Sequence, residues 1–195
     1  MLTFNQPKDN VLDAIAALIG DRLSSGIFSK LRGHWELAES MAITEMPIHQ
    51  YEPPKTRPNF RGHWFHLLKC ADEYVGFAIS TPIGPAETDW MIESVSVAKL
   101  SNQIARTVTW IDKHLDDGTV RILVDQRHHL HALTIDNGEQ MWAVVADLPR
   151  KIPIRKRVIY PWPKLLDLLS QEPPVCGISA RGAFATSDVA KQGGQ

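Results

Sequence analysis

Residues 119–147 read TVRILVDQRHHLHALTIDNGEQMWAVVAD. Three runs rich in aliphatic, β-branched and aromatic side chains, 119–125, 128–135 and 140–147, follow one another with only a few polar residues between them. Such runs are a strand signature, and the spacing leaves no room for the crossover helix that a parallel pair requires. The stretch therefore predicts three antiparallel strands in succession. Asn137-Gly138 joins the second to the third, and both residue types tolerate the positive φ of a tight hairpin turn. A two-residue turn there makes opposing residue numbers sum to 275, with Leu133 facing Trp142, His131 facing Val144, His129 facing Ala146 and His128 facing Asp147. One sheet face then carries His129, His131, Leu133, Trp142 and Val144.

Working upstream, residues 98–115 place Leu100, Ile104, Val108, Ile111 and Leu115 on one side of a helix, with Gly118 beyond Asp116-Asp117 as its stop. Residues 90–97 read as a strand, 82–87 as a loop, and 63–69 and 73–81 as a hairpin joined through Cys70-Ala71-Asp72. Near the start, Val11, Leu12, Ile15, Leu18, Ile19 and Leu23 recur at helical steps over residues 9–23. Leu31, Trp35, Leu37 and Met41 allow a second helix within 27–50, and Pro53, Pro54 and Pro58 make 51–59 an extended connector. Downstream, 152–160 reads as a strand and 162–169 as a short helix entered through Pro161 and Pro163. The expectation is an α+β fold: an N-terminal helix, a mainly antiparallel sheet with one long helix inserted, and a short C-terminal helix. One domain covers 1–170, with an N-terminal helical part at 1–50 and a sheet part at 60–170, and 171–195 reads as a flexible C-terminal tail.

Composition agrees with one globular unit. The chain has 195 residues, 44% of them hydrophobic, enough for one core. With 12 Gly and 13 Pro, collagenous and low-complexity readings are excluded. A formal charge of −1 means that attraction to a polyanion has to come from the placement of charge. Cys70 and Cys176 are too few for a disulfide framework or a zinc module of paired cysteines. The opening residues lack the order of a signal peptide, and no apolar run approaches the length of a membrane span. A cytoplasmic domain without membrane contact is expected.

Charge is segregated in two places. Arg150, Lys151, Arg155, Lys156, Arg157 and Lys164 fall within 148–166 without an acidic residue, interleaved with Tyr160 and Trp162. Residues 55–69 repeat the pattern with Lys55, Arg57, Arg61, His63, Trp64, Phe65, His66 and Lys69. Cations engage phosphates and aromatic faces stack on unpaired bases, so the composition suits nucleic acid. Arg61, Arg150, Lys151, Arg155, Lys156, Arg157 and Lys164 are the expected phosphate contacts, and Trp64 and Trp162 the expected stacking platforms. The competing reading is a solvated edge strand whose charges discourage aggregation, with the aromatics in the core.

His128, His129 and His131 raise a metal reading, but the hairpin supplies no third ligand, so neither metal nor cofactor is expected. No Gly-x-Ser-x-Gly elbow, Walker loop or Gly-x-Gly-x-x-Gly turn occurs, which counts against common hydrolases and nucleotide enzymes. The Gly- and Ser-containing stretch 177–182 reads as linker. Two alternatives stand beside nucleic-acid binding: a small enzyme using the histidine-bearing face, and an adaptor whose six tryptophans serve a protein partner.

Pro85-Ala86-Glu87, Ser94 to Val97, Leu100, Gln103, Arg106-Thr107, Val108-Thr109 and Val120-Arg121 together resemble a stretch of the small large-subunit-like protein of type IV CRISPR effector complexes. The resemblance covers under a quarter of the chain. It implies a nucleic-acid-binding, non-nuclease subunit with protein partners, placed near the crRNA end and engaging the duplex that flanks a target. Members of that family carry a cysteine-rich zinc module near the N-terminus, which Cys70 and Cys176 do not supply, so no zinc role is carried over.

Overall fold

The computed structural model describes residues 1–4, 7, 9–24, 35–46, 56–83, 89–97, 99–148 and 152–172. The stretch 119–147 forms the expected meander, β6 (Gly118–Asp125), β7 (Leu130–Asp136) and β8 (Met141–Asp147), each antiparallel to the next. The β7–β8 register differs from expectation. Asp136 pairs with Met141 and Leu133 with Val144, so opposing numbers sum to 277 through most of the ladder. The turn centres on Gly138-Glu139 instead of Asn137-Gly138. Gly138 takes φ +90°, and Asn137 Oδ1 accepts the Glu139 and Gln140 amides at 3.1 and 2.9 Å. Asn137 is used as a side-chain cap, and the glycine alone supplies the positive φ. Moving the turn by one residue changes partners by two, so Leu133, Trp142 and Val144 still share a face.

Four further strands extend the sheet: β2 (Trp35–Glu45), β3 (Asn59–Cys70), β4 (Glu73–Ile83) and β5 (Asp89–Ser96). With β1 (Leu2–Phe4) and β9 (Ile159–Pro161), the order is β5-β4-β3-β2-β6-β7-β8-β9, and β1 also pairs with β6. One edge of β6 takes two parallel neighbours, β1 along Gly118–Val120 and β2 along Ile122–Val124. All other pairings among the described residues are antiparallel.

The second helix expected within 27–50 is strand β2 where the structure describes it. Ser40, Met41, Ala42, Ile43 and Thr44 are all buried, because β2 is central and covered on both faces. Such a run shows no two-residue alternation, and Trp35, Leu37 and Met41 imitate helical spacing. The division at 51–59 into helical and sheet parts therefore fails, since β2 bonds directly to β3 across it. The strand expected at 152–160 shrinks to β9. Pro153 has no amide to give, and Arg157, at φ +57°, turns the backbone out of the ladder.

Among the described residues, three helices cover the sheet: α1 (Asp9–Ser24), α2 (Lys99–Asp112) and α3 (Trp162–Ser170). α2 buries Ile104, Val108 and Ile111 against Met41, Phe65, Leu67, Phe77, Ile122, Leu133 and Val144 on one face. It touches β3 and β4 on one side and β7 and β8 on the other, so the sheet curves around it. The opposite face is shared. α1 sets Ile15, Ile19 and Leu23 on Leu68, Ala78, Trp90 and Ile92, and α3 sets Leu165, Leu166 and Leu169 on Leu123, Ala132, Ala143 and Val145. Full burial of a large apolar side chain contributes about 1.5–3 kcal/mol, so these three clusters carry the fold. α2 ends at Asp112, short of the expected Leu115, and Gly118 opens β6 instead of stopping the helix. At φ +131° its position suits glycine, and a Cβ there would lie 2.6 Å from Ile135 Cγ2. Among the described residues, no helix is long and apolar enough to cross a membrane.

Candidate nucleic-acid interface

One stripe of α2 carries Asn102, Arg106, Thr109 and the half-buried Trp110, which also packs against the core, and Lys113 follows in the turn just past the helix end. The curved sheet brings Asp72, Glu73 and Tyr74 at the β3–β4 turn, and Arg157, to this stripe. Together they line an open cavity of about 600 Å³, within the roughly 300–1,000 Å³ range of small-molecule sites. Arg106, Lys113 and Arg157 are exposed and form no ion pair among the described residues. Asp72 is tied to Lys69 at 3.7 Å.

Local conformation fixes both rims. Ala71, immediately before Asp72, has φ +51°, and Arg157 has φ +57°. Non-glycine residues in the left-handed region cost about 1–2 kcal/mol, so the tertiary structure holds both turns in place. The Arg157 amide donates to the Val145 carbonyl at 3.1 Å, which anchors its turn to β8. Tyr74 donates its hydroxyl to the Glu39 carboxylate, 2.9 and 3.1 Å from the two oxygens. Burial, reinforced by that bond and by the Glu39 charge, pushes the phenol up to about 12, so it stays protonated. Trp110 is half-buried and stacks on His114 with centroids 4.0 Å apart, and His114 Nδ1–H donates to the Trp110 carbonyl at 2.7 Å.

Among the described residues expected from sequence, Arg157 alone lines this cavity. Arg155 is exposed, and its amide donates to the Tyr160 hydroxyl at 2.8 Å. Lys156 reaches Asp147 Oδ1 at 2.6 Å, which offsets its charge locally. Lys164 lies 3.7 Å from Asp167 on the surface of α3. Trp162 is 5% exposed, inside the α3 core, and donates its indole N–H to the Thr56 carbonyl at 2.9 Å, so it offers no face for stacking. Trp64 packs against the α1 cluster and meets Phe60 edge-on at 5.6 Å. Arg61 belongs to β3, but its side chain lies outside the described residues, as do Arg150, Lys151 and the tail from residue 173. Sequence reading missed Arg106, Trp110 and Lys113. Their signal was a tryptophan flanked by two cations at helical spacing, although Trp110 also packs partly against the core.

Among the described residues, the histidines do not assemble into one site. His129 sits in the β6–β7 turn at φ +52°, and His131 pairs in register with Asp147 after a bulge, so the expected shared face is broken. His128 and Asp125 are wholly buried, with Nδ1 2.6 Å from Oδ2, and Oδ1 accepts the Arg127 amide. His66 bridges Ser40 and Ser80 at 2.8 and 2.7 Å. Burial lowers its pKa to about 3, so the ring is neutral, donating to one serine and accepting from the other. This Ser–His–Ser row spans β2, β3 and β4 at 0–1% exposure, a satisfied polar layer in the sheet with no opening for a substrate. Among the described residues, no three His, Cys, Asp or Glu side chains gather for a metal. Compared with protein-family models, curated proteins and solved structures, the chain matches none.

Proposed function

We propose that this chain binds nucleic acid without cleaving it, as one subunit of a larger ribonucleoprotein assembly. The observation that carries the reading is convergence: Arg106 from α2, Lys113 from the turn that follows it and Arg157 from beyond β8 meet at one cavity beside Trp110 and Tyr74. Cations without carboxylate partners are those available to phosphate, and aromatic neighbours suit unstacked bases. Arg106 also falls within the stretch that resembles the type IV CRISPR subunit, which makes such an effector complex the assembly to examine first.

The test is fluorescence anisotropy of a labelled single-stranded RNA across a salt series. Binding should weaken linearly in log salt, at about 0.7 per phosphate neutralised. The double variant Arg106→Ala/Arg157→Ala should bind more weakly, with a slope shallower by roughly 1.4, two phosphate contacts' worth. Absence of binding at low salt, or an unchanged slope in the double variant, would reject the reading.

A further inference from the structure

The cavity is not purely cationic. Asp72 and Glu73 line it together with the three cations. A carboxylate accepts hydrogen bonds and repels a neighbouring phosphate, so these two side chains oppose a simple polyanion and favour a ligand that brings a hydrogen-bond donor close to its phosphate. In a nucleic-acid strand the ribose 2′-hydroxyl is such a donor on every residue, whereas the donors of the bases change with sequence. It is also the group that separates RNA from DNA.

The two carboxylates are not equivalent. Asp72 is fully exposed and holds Lys69 across the turn, while Glu73 forms no ion pair among the described residues. Glu73 is the first residue of β4 and pairs in register with Cys70, so the hairpin sets its position relative to α2. Tyr74, its neighbour, is already committed to Glu39. Glu73 is the acceptor left available at this rim.

Resting on the nucleic-acid reading above, we propose that the cavity holds one ribonucleotide of the bound strand, with Arg106, Lys113 and Arg157 on phosphate and Glu73 accepting the ribose 2′-hydroxyl. The site thereby selects RNA over DNA.

Titration calorimetry with UMP and dUMP isolates that single hydroxyl. The wild-type chain should bind UMP about tenfold more tightly, the scale of one charge-assisted hydrogen bond. Glu73→Ala should bring the ratio to about one while leaving dUMP binding equal or tighter, because a repulsive charge has gone. Asp72→Asn should keep the preference, and Glu73→Gln should tighten inorganic pyrophosphate. Equal binding of UMP and dUMP, no saturable UMP binding, or a preference that survives Glu73→Ala would overturn the proposal. Matched RNA and DNA strands separate the two levels of failure. Equal, Arg157-dependent binding of both strands removes the ribose selection and keeps the nucleic-acid reading, whereas no binding of either strand removes both.

Discussion

The two basic, aromatic segments look alike in sequence and are used differently. In 55–69, folding absorbs much of the chemistry: Phe65 stacks on Phe77 at 4.7 Å, His66 is sealed between two serines, Trp64 joins the α1 cluster, and Lys69 holds Asp72. In 148–166 the aromatic Trp162 is also buried, yet Arg157 stands at a cavity with Arg106 of α2 and Lys113 just past its end. The difference is position in the sheet. β3 is an interior strand with neighbours on both sides, so its side chains meet core on either face. In the second segment the described residues 152–158, between β8 and β9, lie outside the ladder, and the turn at Arg157 presents its side chain outward. Similar composition therefore carries different functional weight depending on whether the backbone is laddered on both edges.

Four measurements sharpen or break that contrast. The largest effect is expected from Phe65→Ala, which empties a fully buried position in β3 and should cost about 3–5 kcal/mol in urea unfolding. A loss under about 1 kcal/mol would mean that this segment is not structural. Next comes pH. The folded pKa of His66, about 3, lies below the ordinary unfolded value near 6.5, so below that pH the unfolded chain binds a proton that the native state refuses. Stability contributed by neutral His66 is thus present at high pH and is lost as pH falls from about 6.5 toward 3. Between pH 6.5 and 5 the decline should be about 1.5–2 kcal/mol larger in the wild-type chain than in His66→Gln. Parallel pH curves for the two proteins would refute it.

Trp162→Phe should cost about 1–2 kcal/mol, by leaving the Thr56 carbonyl without its donor, and should leave RNA affinity unchanged. A selective loss of RNA binding with full stability would restore Trp162 as a stacking residue. Smallest in stability is Arg157→Ala, expected within about 0.5 kcal/mol of wild type because the side chain is exposed and forms no ion pair among the described residues. It should nevertheless weaken RNA binding measurably, the reverse of Phe65→Ala when that variant is assayed under conditions where it is folded.

Much of the architecture was legible. The 119–147 meander, the β3–β4 hairpin, α1, α2 and α3 announce themselves through local periodicity and turn chemistry, and the structure places each within a few residues of expectation. β2 was not legible, because a central strand buried on both faces has no alternation. β1 was missed because its three residues are stabilised only by a distant partner at Gly118–Val120. At the candidate site, the cations of 148–166 were readable as a group, but which of them remains available to phosphate was not. Asp147 takes Lys156 and Asp167 takes Lys164, Arg155 is exposed away from the cavity lining, and Arg157 meets Arg106 and Lys113 there.

By itself, then, the sequence determined the α+β class, the order of most elements and the apolar faces they bury, since these follow from side-chain spacing within a few residues. Only the tertiary structure decided the β7–β8 register, the burial of Trp162 and the gathering of Arg106, Lys113, Glu73 and Arg157 around one cavity. Those outcomes depend on how far the sheet curves around α2 and on which distant partner reaches each group first, and neither is encoded in any local pattern.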